Sequence, residues 1–124
     1  MHTRPHIPRV SVIIPTKDEA KNLEVLLPDM PDVYEVVLVD AGSQDGTIDV
    51  ARNHLSNLQI VHQTRTGKGN ALICGMHAAT GDILVTLDAD GSADPCEIPA
   101  FVDALIDGAD FAKGSRYMPG GGSV

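Results

Sequence analysis

The chain has 124 residues, of which 43% are hydrophobic and 21% are charged. A chain of this size forms one domain with a single core, and this composition excludes extensive disorder. Its nine lysines and arginines and seventeen aspartates and glutamates give a net charge of −8. This charge opposes the counterion release that drives nucleic-acid binding, so nucleic acid is excluded as a partner.

The cellular location is predicted from targeting signals and cysteines. Residues 1–8 contain no apolar segment of the secretory type, and no stretch approaches the about 18 apolar residues of a membrane span. Cys74 and Cys96 are far apart and fall in predicted helices, which favours buried thiols in a reducing compartment. We expect a cytoplasmic protein with a flexible tail over residues 1–8, and any membrane association to be peripheral, at the cytoplasmic face.

The first half of the chain alternates strands with helices. Residues 10–14 are rich in β-branched side chains and end at Pro15, which predicts a buried strand. Thr16 and Glu19 match the capping-box pattern, so we expect a helix to begin there and to end before Pro28. Apolar runs and turn residues then predict a strand over 35–39, a loop over 40–46, a helix over 47–55 and a strand over 58–62.

The second half continues the alternation. A helical pattern over residues 70–80 is followed by Gly81, which predicts that a glycine ends this helix. A strand over 83–87 precedes Asp94 and Pro95, the expected cap and first residue of the next helix. The remaining predicted segments are a strand over 110–114 and an open loop over 119–122.

This order of elements predicts the fold class. Strands that alternate with helices at about thirty-residue spacing form βαβ units with a largely parallel sheet. We therefore expect a Rossmann-like α/β fold, a three-layer sandwich with helices on both faces of the sheet. The domain is expected to span residues 9–118 and to be followed by a flexible glycine-rich end over residues 119–124.

Polar residues follow the predicted strands, at the edge where open parallel sheets bind ligands. They are residues 16–19 after the first strand, Asp40 after the second, residues 65–68 after the third, and Asp88 with Asp90 after the fourth. We expect them to converge on one crevice. For Thr16, Asp45 and Asp94, helix capping is favoured over ligand contact.

Asp88 and Asp90 are favoured as metal ligands. They flank one small residue at the end of an apolar strand, where no capping role requires two carboxylates. Carboxylates at i and i+2 of an extended segment point the same way and suit a hard divalent cation. A D-x-D pattern alone is a weak signal, and its position after a buried strand is what favours a metal or ligand role.

Five ordered segments together resemble the family 2 glycosyltransferases of the GT-A fold, and the most similar branch is that of the dolichyl- or polyprenyl-phosphate sugar transferases. They cover most of the chain, from residue 10 to residue 117. The segments are residues 10–16 (VSVIIPT) with Glu19, residues 39–47 (VDAGSQDGT), residues 67–69 (GKG), residues 87–90 (LDAD) and residues 114–117 (GSRY).

The resemblance implies transfer of a sugar from a nucleoside diphosphate sugar. By position in the motifs, Pro15, Thr16 and Glu19 would line the nucleoside pocket, and Asp40 would contact the base or the ribose. Lys68 would lie near the nucleotide. The chain would then correspond to the donor-binding part of such an enzyme.

The resemblance also implies a divalent cation, Mg²⁺ or Mn²⁺, on the diphosphate. Asp88 would contact the nucleotide side and contribute to the metal site, and Asp90 would ligate the metal that bridges the diphosphate. Arg116 matches the arginine that is associated with the acceptor phosphate in the polyprenyl-phosphate branch, and these three residues are the catalytic candidates. A surface ion pair is an equally favoured interpretation of Arg116.

Several positions differ from the family pattern. Ala41 stands where a second aspartate is common, Lys17 and Asp18 replace a Tyr-Asn pair, and Ser92 replaces a glutamine of some polyprenyl-phosphate enzymes.

The leading hypothesis is inverting transfer of the sugar, which requires no general base if the acceptor is a lipid phosphate. The alternative is a nucleotide-binding module, or a donor half, without transferase activity.

Overall fold

The computed structural model describes residues 9–107 and the main chain of residues 116–119. A five-stranded sheet has the order β3-β2-β1-β4-β5. The first four strands are parallel, and β5 pairs antiparallel to β4. The strands are β1 (Val10–Thr16), β2 (Glu35–Asp40), β3 (Leu58–His62), β4 (Ile83–Thr86) and β5 (Arg116–Pro119).

Four α-helices connect or follow the parallel strands. Two of them adjoin short 3₁₀ helices, Leu27–Asp29 after α1 and Pro95–Glu97 before α4. The α-helices are α1 (Ala20–Leu26), α2 (Thr47–His54), α3 (Lys68–Ala78) and α4 (Ile98–Ile106). None of the helices in this described part of the chain is long and apolar enough to cross a membrane.

The central strand β1 is buried on both faces. Val12, Ile13 and Ile14 are fully shielded from solvent, as expected for a parallel strand covered by helices on both sides. Its neighbours are β2 on one side, with Ile13 opposite Val37, and β4 on the other, with Ile13 opposite Thr86. The continuous apolar run in the sequence is therefore explained by its position in the middle of the sheet.

The two faces of the sheet carry separate apolar clusters. Val12 and Ile14 pack with residues of α1, α2 and α4 on one face, while Ile13 and Val39 pack with residues of α3 on the other. This arrangement is the three-layer α/β sandwich expected from the sequence, and it confirms the predicted fold class.

Gly75 allows α3 to lie close to the sheet. A Cβ atom at this position would be 2.5 Å from Cγ2 of Ile13 and 3.2 Å from Cγ2 of Val39, closer than packed carbon atoms approach. A glycine in the middle of a helix costs stability, and here it is required by the close packing of helix on strand.

Strand order reverses at β1. From β1 the chain proceeds outward through β2 and β3 on one side, and α3 then returns it to β4 on the other side. Ligands of open α/β sheets bind beyond the carboxyl ends of the strands at such a reversal. The fold thus places the ends of β1 and β4 beside the beginning of α3.

Two helix boundaries differ from their prediction. The capping box is wrong, because Thr16 is the last residue of β1 and α1 begins only at Ala20. The glycine stop at Gly81 is also wrong, because α3 ends at Ala78. Gly81 instead lies against β1, where its N–H donates a 2.9 Å hydrogen bond to Oγ of Ser11.

Other local predictions had mixed outcomes. Asp94 caps the 3₁₀ helix as predicted, since its Oδ1 accepts a 2.9 Å hydrogen bond from the N–H of Cys96. The prediction of two buried thiols is wrong, because Cys96 is exposed and Cys74 only half-buried. Pro119 belongs to β5 rather than to an open loop, and the strand predicted over residues 110–114 lies outside the described residues.

Candidate functional site

A cavity of about 610 Å³ opens at the carboxyl ends of the parallel strands. Its wall comes from the loop after β1, the loop before α3 and the segment after β4, which all meet where strand order reverses. It is lined by Pro15, Thr16, Lys17, Glu19, Ala41, Gln63, Thr66, Gly67, Lys68, Ala71, Asp88, Ala89 and Asp90.

Most of the site residues predicted from the sequence meet in this cavity. Asp40 is an exception, because its side chain is not part of the wall. The side chain of Arg116 lies outside the described residues, although the main chain of Arg116 pairs with Thr86 at the carboxyl end of β4. The predicted residues that line the cavity are Pro15, Thr16, Glu19, Lys68, Asp88 and Asp90.

Asp40 lies beneath the loop that follows β2 and is only 2% exposed. Its Oδ1 accepts hydrogen bonds from Oγ1 of Thr16 at 2.9 Å and from Oγ of Ser43 at 2.6 Å. Its Oδ2 accepts the N–H groups of Gly42 at 3.1 Å and Ser43 at 2.8 Å. All four of these hydrogen bonds come from protein groups, which indicates that Asp40 supports the loop, and its contact with the nucleoside stays a prediction.

The loops after β1 and β2 are joined to each other by hydrogen bonds. Lys17 Nζ donates to the carbonyl of Gly42 at 3.1 Å, and the N–H of Asp18 donates to Oγ of Ser43 at 2.7 Å. Oδ1 of Asp18 in turn accepts the N–H of Gln44 at 2.8 Å. Asp18 has a φ of 53°, a conformation that aspartate tolerates better than most residues.

Asp45 caps two helices at once. Its Oδ2 accepts the N–H of Ala20, the first residue of α1, at 3.1 Å. Its Oδ1 accepts the N–H of Thr47, the first residue of α2, at 3.1 Å, and also the Thr47 hydroxyl. This confirms the capping role expected for Asp45, and it ties both helices to the loops beside the cavity.

Lys68 is the first residue of α3 and contributes a cation to the cavity wall. Its Nζ lies 2.7 Å from Oδ1 of Asp88. The side chains of Lys68 and Asp88 are 48% and 29% exposed, so the ion pair remains accessible from solvent. The pair joins the beginning of α3 to the segment after β4.

Asp90 lies in a turn after β4 rather than in the extended segment assumed from the sequence. Its Oδ1 accepts the N–H of Ser92 at 2.9 Å. Hydrogen bonds from the Ser92 hydroxyl and N–H, with a smaller contribution from Lys68, hold the pKa of Asp90 below its ordinary value. Between the two aspartates, Ala89 is 2% exposed and packs into the core.

The carboxylates of Asp88 and Asp90 suit a hard cation such as Mg²⁺ or Mn²⁺. No group of three or more His, Cys, Asp or Glu side chains placed to hold a metal occurs in the described ranges. A cation bound by these two aspartates would therefore take its other ligands from water or from a substrate. Mg²⁺ typically binds to one or two carboxylates together with substrate phosphates, so the residues present fit such an ion.

Gln63 is a cavity residue that was not predicted from the sequence. Its N–H donates to the carbonyl of Asp40 at 2.8 Å, and its Nε2 donates to the carbonyl of Gly67 at 2.7 Å. It therefore links the end of β2 to the loop that precedes Lys68 and α3. Its position directly after β3, at the ligand-binding edge of the sheet, was the available signal.

The comparison with known protein families agrees with this geometry. The model of the family "Glycosyl transferase family 2" matches residues 11–124, which include all the residues that line the cavity. This chain belongs to glycosyltransferase family 2.

The curated relatives include enzymes whose names mention dolichol phosphate and polyprenol monophosphomannose. A dolichol-phosphate mannosyltransferase from Pyrococcus furiosus is 39% identical over 91% of the chain and 34% of its own length. A polyprenol monophosphomannose synthase from Mycolicibacterium smegmatis is 38% identical over 91% of the chain and 47% of its own length. The chain thus spans about a third to a half of the length of these relatives.

A solved structure shows the same fold. Glucosyl-3-phosphoglycerate synthase from Mycobacterium tuberculosis, in complex with Mn²⁺, UDP-glucose and phosphoglyceric acid, superposes with a TM-score of 0.70 at 30% identity. The match covers 82% of this chain and 40% of that enzyme. This family 2 chain therefore has an α/β fold of the GT-A glycosyltransferase type.

Proposed function

We propose that the chain binds a nucleoside diphosphate sugar in the 610 Å³ cavity, together with Mg²⁺ or Mn²⁺. The observation that carries the proposal is the meeting of one lysine and two aspartates where strand order reverses, at Lys68, Asp88 and Asp90. The complex of the Mycobacterium tuberculosis synthase with Mn²⁺ and UDP-glucose supports the donor class and the metal.

Asp88 and Asp90 would hold the metal at the cavity wall. When bound, it would neutralise the charge that develops on the departing nucleoside diphosphate. The acidic chain makes this neutralisation necessary, since its net charge of −8 opposes an anionic ligand. Lys17 and Lys68 contribute positive charge at the cavity wall.

The nucleoside would lie against the ends of β1 and β3. Pro15, Thr16 and Glu19 form the β1 side of the wall, and Gln63 forms the β3 side with an amide that can donate and accept hydrogen bonds. Asp40 supports this surface from below through its bond to Thr16. In this proposal Asp40 is a positioning residue, and the other four are the candidates for contact with the nucleoside.

The proposed reaction is inverting transfer to a phosphate-bearing acceptor. A phosphate oxygen of the acceptor would bond to the anomeric carbon while the bond from that carbon to the diphosphate breaks. Because the phosphate is already an anion, no general base is required. A polyprenyl phosphate is proposed as the acceptor because relatives at 38–39% identity are named for dolichol and polyprenol phosphates. Arg116 is the candidate for contact with the acceptor phosphate.

A second candidate function is donor binding without transfer. The candidates for donor contact described above lie between Pro15 and Asp90. This placement favours a donor-binding unit, which would share the cavity and the metal but not the reaction.

Calorimetric titration with a panel of nucleoside diphosphates, with and without Mn²⁺, tests the proposed function. One nucleotide is expected to bind with a dissociation constant in the micromolar range, and only when the cation is present. Absence of binding for every nucleotide and cation would refute both candidate functions. Assay of the bound sugar donor with a polyprenyl phosphate then separates transfer from binding alone.

A further inference from the structure

We propose that Lys68 is an exchangeable internal counterion of the metal site. It pairs with Asp88 before the donor binds, and it moves to the diphosphate when nucleotide and cation enter together. This inference rests on the proposed function, since it assigns Lys68 a changing partner within the same cavity.

The ion pair is positioned to compete with a metal ion. Nζ of Lys68 lies 2.7 Å from Oδ1 of Asp88, so the ammonium takes one of the oxygens that a divalent cation would use. Oδ1 of Asp90 already accepts the N–H of Ser92 at 2.9 Å. A cation that arrives alone must displace the lysine from Asp88 or share the carboxylate with it, and the two positive charges repel each other.

The lysine can change its partner without movement of the backbone. Lys68 is nearly half exposed, and its long stem has several rotatable bonds. Its main chain is held, because the preceding carbonyl of Gly67 accepts a 2.7 Å hydrogen bond from Gln63, and the N–H of Arg65 donates to Oδ1 of Asn70 at 2.9 Å. Rotation of the side chain is therefore sufficient to bring Nζ to a ligand in the cavity.

The exchange makes the metal and the nucleotide bind cooperatively. A diphosphate offers the ammonium a new anionic partner, and departure of Lys68 leaves both oxygens of Asp88 available to the cation. Each ligand thus improves the site for the other, and by linkage the improvement is equal in both directions. A cation without nucleotide is expected to bind weakly.

Replacement of the lysine tests the proposal because its two predicted effects have opposite sign. In Lys68→Met, the affinity for Mn²⁺ alone is expected to rise roughly fivefold to tenfold, since the competing cation is lost. The affinity for uridine or guanosine diphosphate at saturating Mn²⁺ is expected to fall roughly tenfold or more, since the diphosphate loses a charged partner. Mn²⁺ binding is followed by electron paramagnetic resonance and nucleotide binding by calorimetry.

Lys21→Met is the matched control. Lys21 lies on α1, is exposed and does not line the cavity, so this variant removes the same charge elsewhere. Both of its affinities are expected to stay within about twofold of wild type. If Lys68→Met does not fold, as judged by circular dichroism, Lys68→Gln is used with the same expectations.

Two outcomes would overturn the counterion proposal: unchanged or weaker Mn²⁺ binding in the Lys68 variant, or unchanged nucleotide binding. Either result would leave Lys68 as a structural partner of Asp88. A wild-type chain that binds no nucleoside diphosphate of the panel with any cation would refute the proposed function itself. That result is distinguishable, because it appears before any substitution is made.

Discussion

Oγ1 of Thr16 donates a 2.9 Å hydrogen bond to Oδ1 of Asp40, so the last residue of β1 is bonded to the last residue of β2. The carbonyl of Thr16 also accepts the N–H of Ala41 at 3.0 Å. Thr16 is part of the cavity wall, and Asp40 lies beneath this wall. The cavity wall at Thr16 is therefore supported by a buried carboxylate.

Asp40→Asn is expected to lower the free energy of unfolding by about 1–3 kcal/mol, because an amide nitrogen cannot accept the N–H groups now bonded to Oδ2. Nucleotide affinity is expected to fall as well, since the loop beside Thr16 loses its anchor. Urea denaturation and calorimetric titration measure the two effects.

Glu35→Gln is the matched control for Asp40→Asn. Glu35 also accepts four hydrogen bonds, from Ser11, Gln59 and the N–H and hydroxyl of Thr80. It lies at the first residue of β2, at the opposite end of the sheet from the cavity. A loss of stability with unchanged nucleotide affinity is expected. Equal nucleotide affinity in wild type and Asp40→Asn would leave Asp40 with a structural role only.

Acidification is expected to remove the contribution of Asp40 to stability. Burial raises the pKa of Asp40, but hydrogen bonds from Ser43, Thr16 and Gly42 outweigh burial and hold this pKa below its ordinary value. Such a group stabilises the fold fully above its unfolded pKa, about 3.9, and the stabilisation is lost as the pH falls through the lower folded pKa.

The stability difference between wild type and Asp40→Asn is therefore expected to be constant from about pH 7 to about pH 5 and to shrink below about pH 4. Urea denaturation at a series of pH values measures it. Asp32→Asn, at an exposed position in the loop before β2, is the control and is expected to change stability little. If this stability difference grows on acidification, the pKa of Asp40 is not lowered in the folded protein.

Helix and strand bounds were predictable where residues that are adjacent in the sequence determine them. The bounds of β3 agree with the prediction at both ends, because one short apolar run lies between turn residues. The capping box failed because Thr16 is bonded to Asp40, a residue 24 positions away. The prediction that Gly81 ends α3 failed for the same kind of reason, because Gly81 is bonded to Ser11, a residue 70 positions away.

The residues of the candidate site were predictable from the sequence, but the hydrogen bonds that connect them were not. The rule that ligands bind at the carboxyl ends of parallel strands brought Lys68, Asp88 and Asp90 together from sequence alone. The burial of Asp40 and the contribution of Gln63 depend on how the loops fold against each other. Those contacts join residues from different βα units, and no periodicity in the chain encodes them.

Gly75→Ala is expected to destabilise the protein by about 1–2 kcal/mol. The new Cβ would lie 2.5 Å from Ile13, and overpacking of this kind costs about 1–3 kcal/mol, which exceeds the gain of up to about 1 kcal/mol in helix propensity. Gly69→Ala is the control on the same helix, because outside its chain neighbours and the backbone of its own helix no heavy atom lies within 4 Å of its added Cβ. That variant is expected to be equally or more stable in thermal denaturation. A stabilised Gly75→Ala would mean that α3 can move away from the sheet at little cost.

Asp90→Ala is expected to abolish binding of nucleoside diphosphates. Removal of the divalent cation from the wild-type protein is expected to have the same effect. The reason is that a chain of net charge −8 needs the cation to hold an anionic ligand. Calorimetry in Mn²⁺ and in EDTA measures both effects. Asp94→Ala is the control, because Asp94 caps the Pro95–Glu97 helix and does not line the cavity. Equal affinity of wild type in Mn²⁺ and in EDTA would contradict the metal-dependent site.

The 124-residue chain is expected to bind the sugar donor but to transfer the sugar slowly or not at all. Positioning of two reactants can supply about 7–11 kcal/mol of a reaction barrier, and the cavity residues described account for the donor only. The matched region covers 34% to 47% of the relatives whose names mention dolichol phosphate and polyprenol monophosphomannose.

An open donor site also admits water, so slow hydrolysis of the nucleotide sugar is expected before transfer. Release of nucleoside diphosphate is measured with and without a polyprenyl phosphate, and the glycolipid product is measured directly. The Asp90→Ala variant is the control for background hydrolysis. Product formation at about 1 per second, an ordinary enzymatic rate, would show that this chain holds the acceptor by itself. Arg116 would then be the first residue to substitute, because the main chain of β5 places it opposite Thr86, two residues before Asp88.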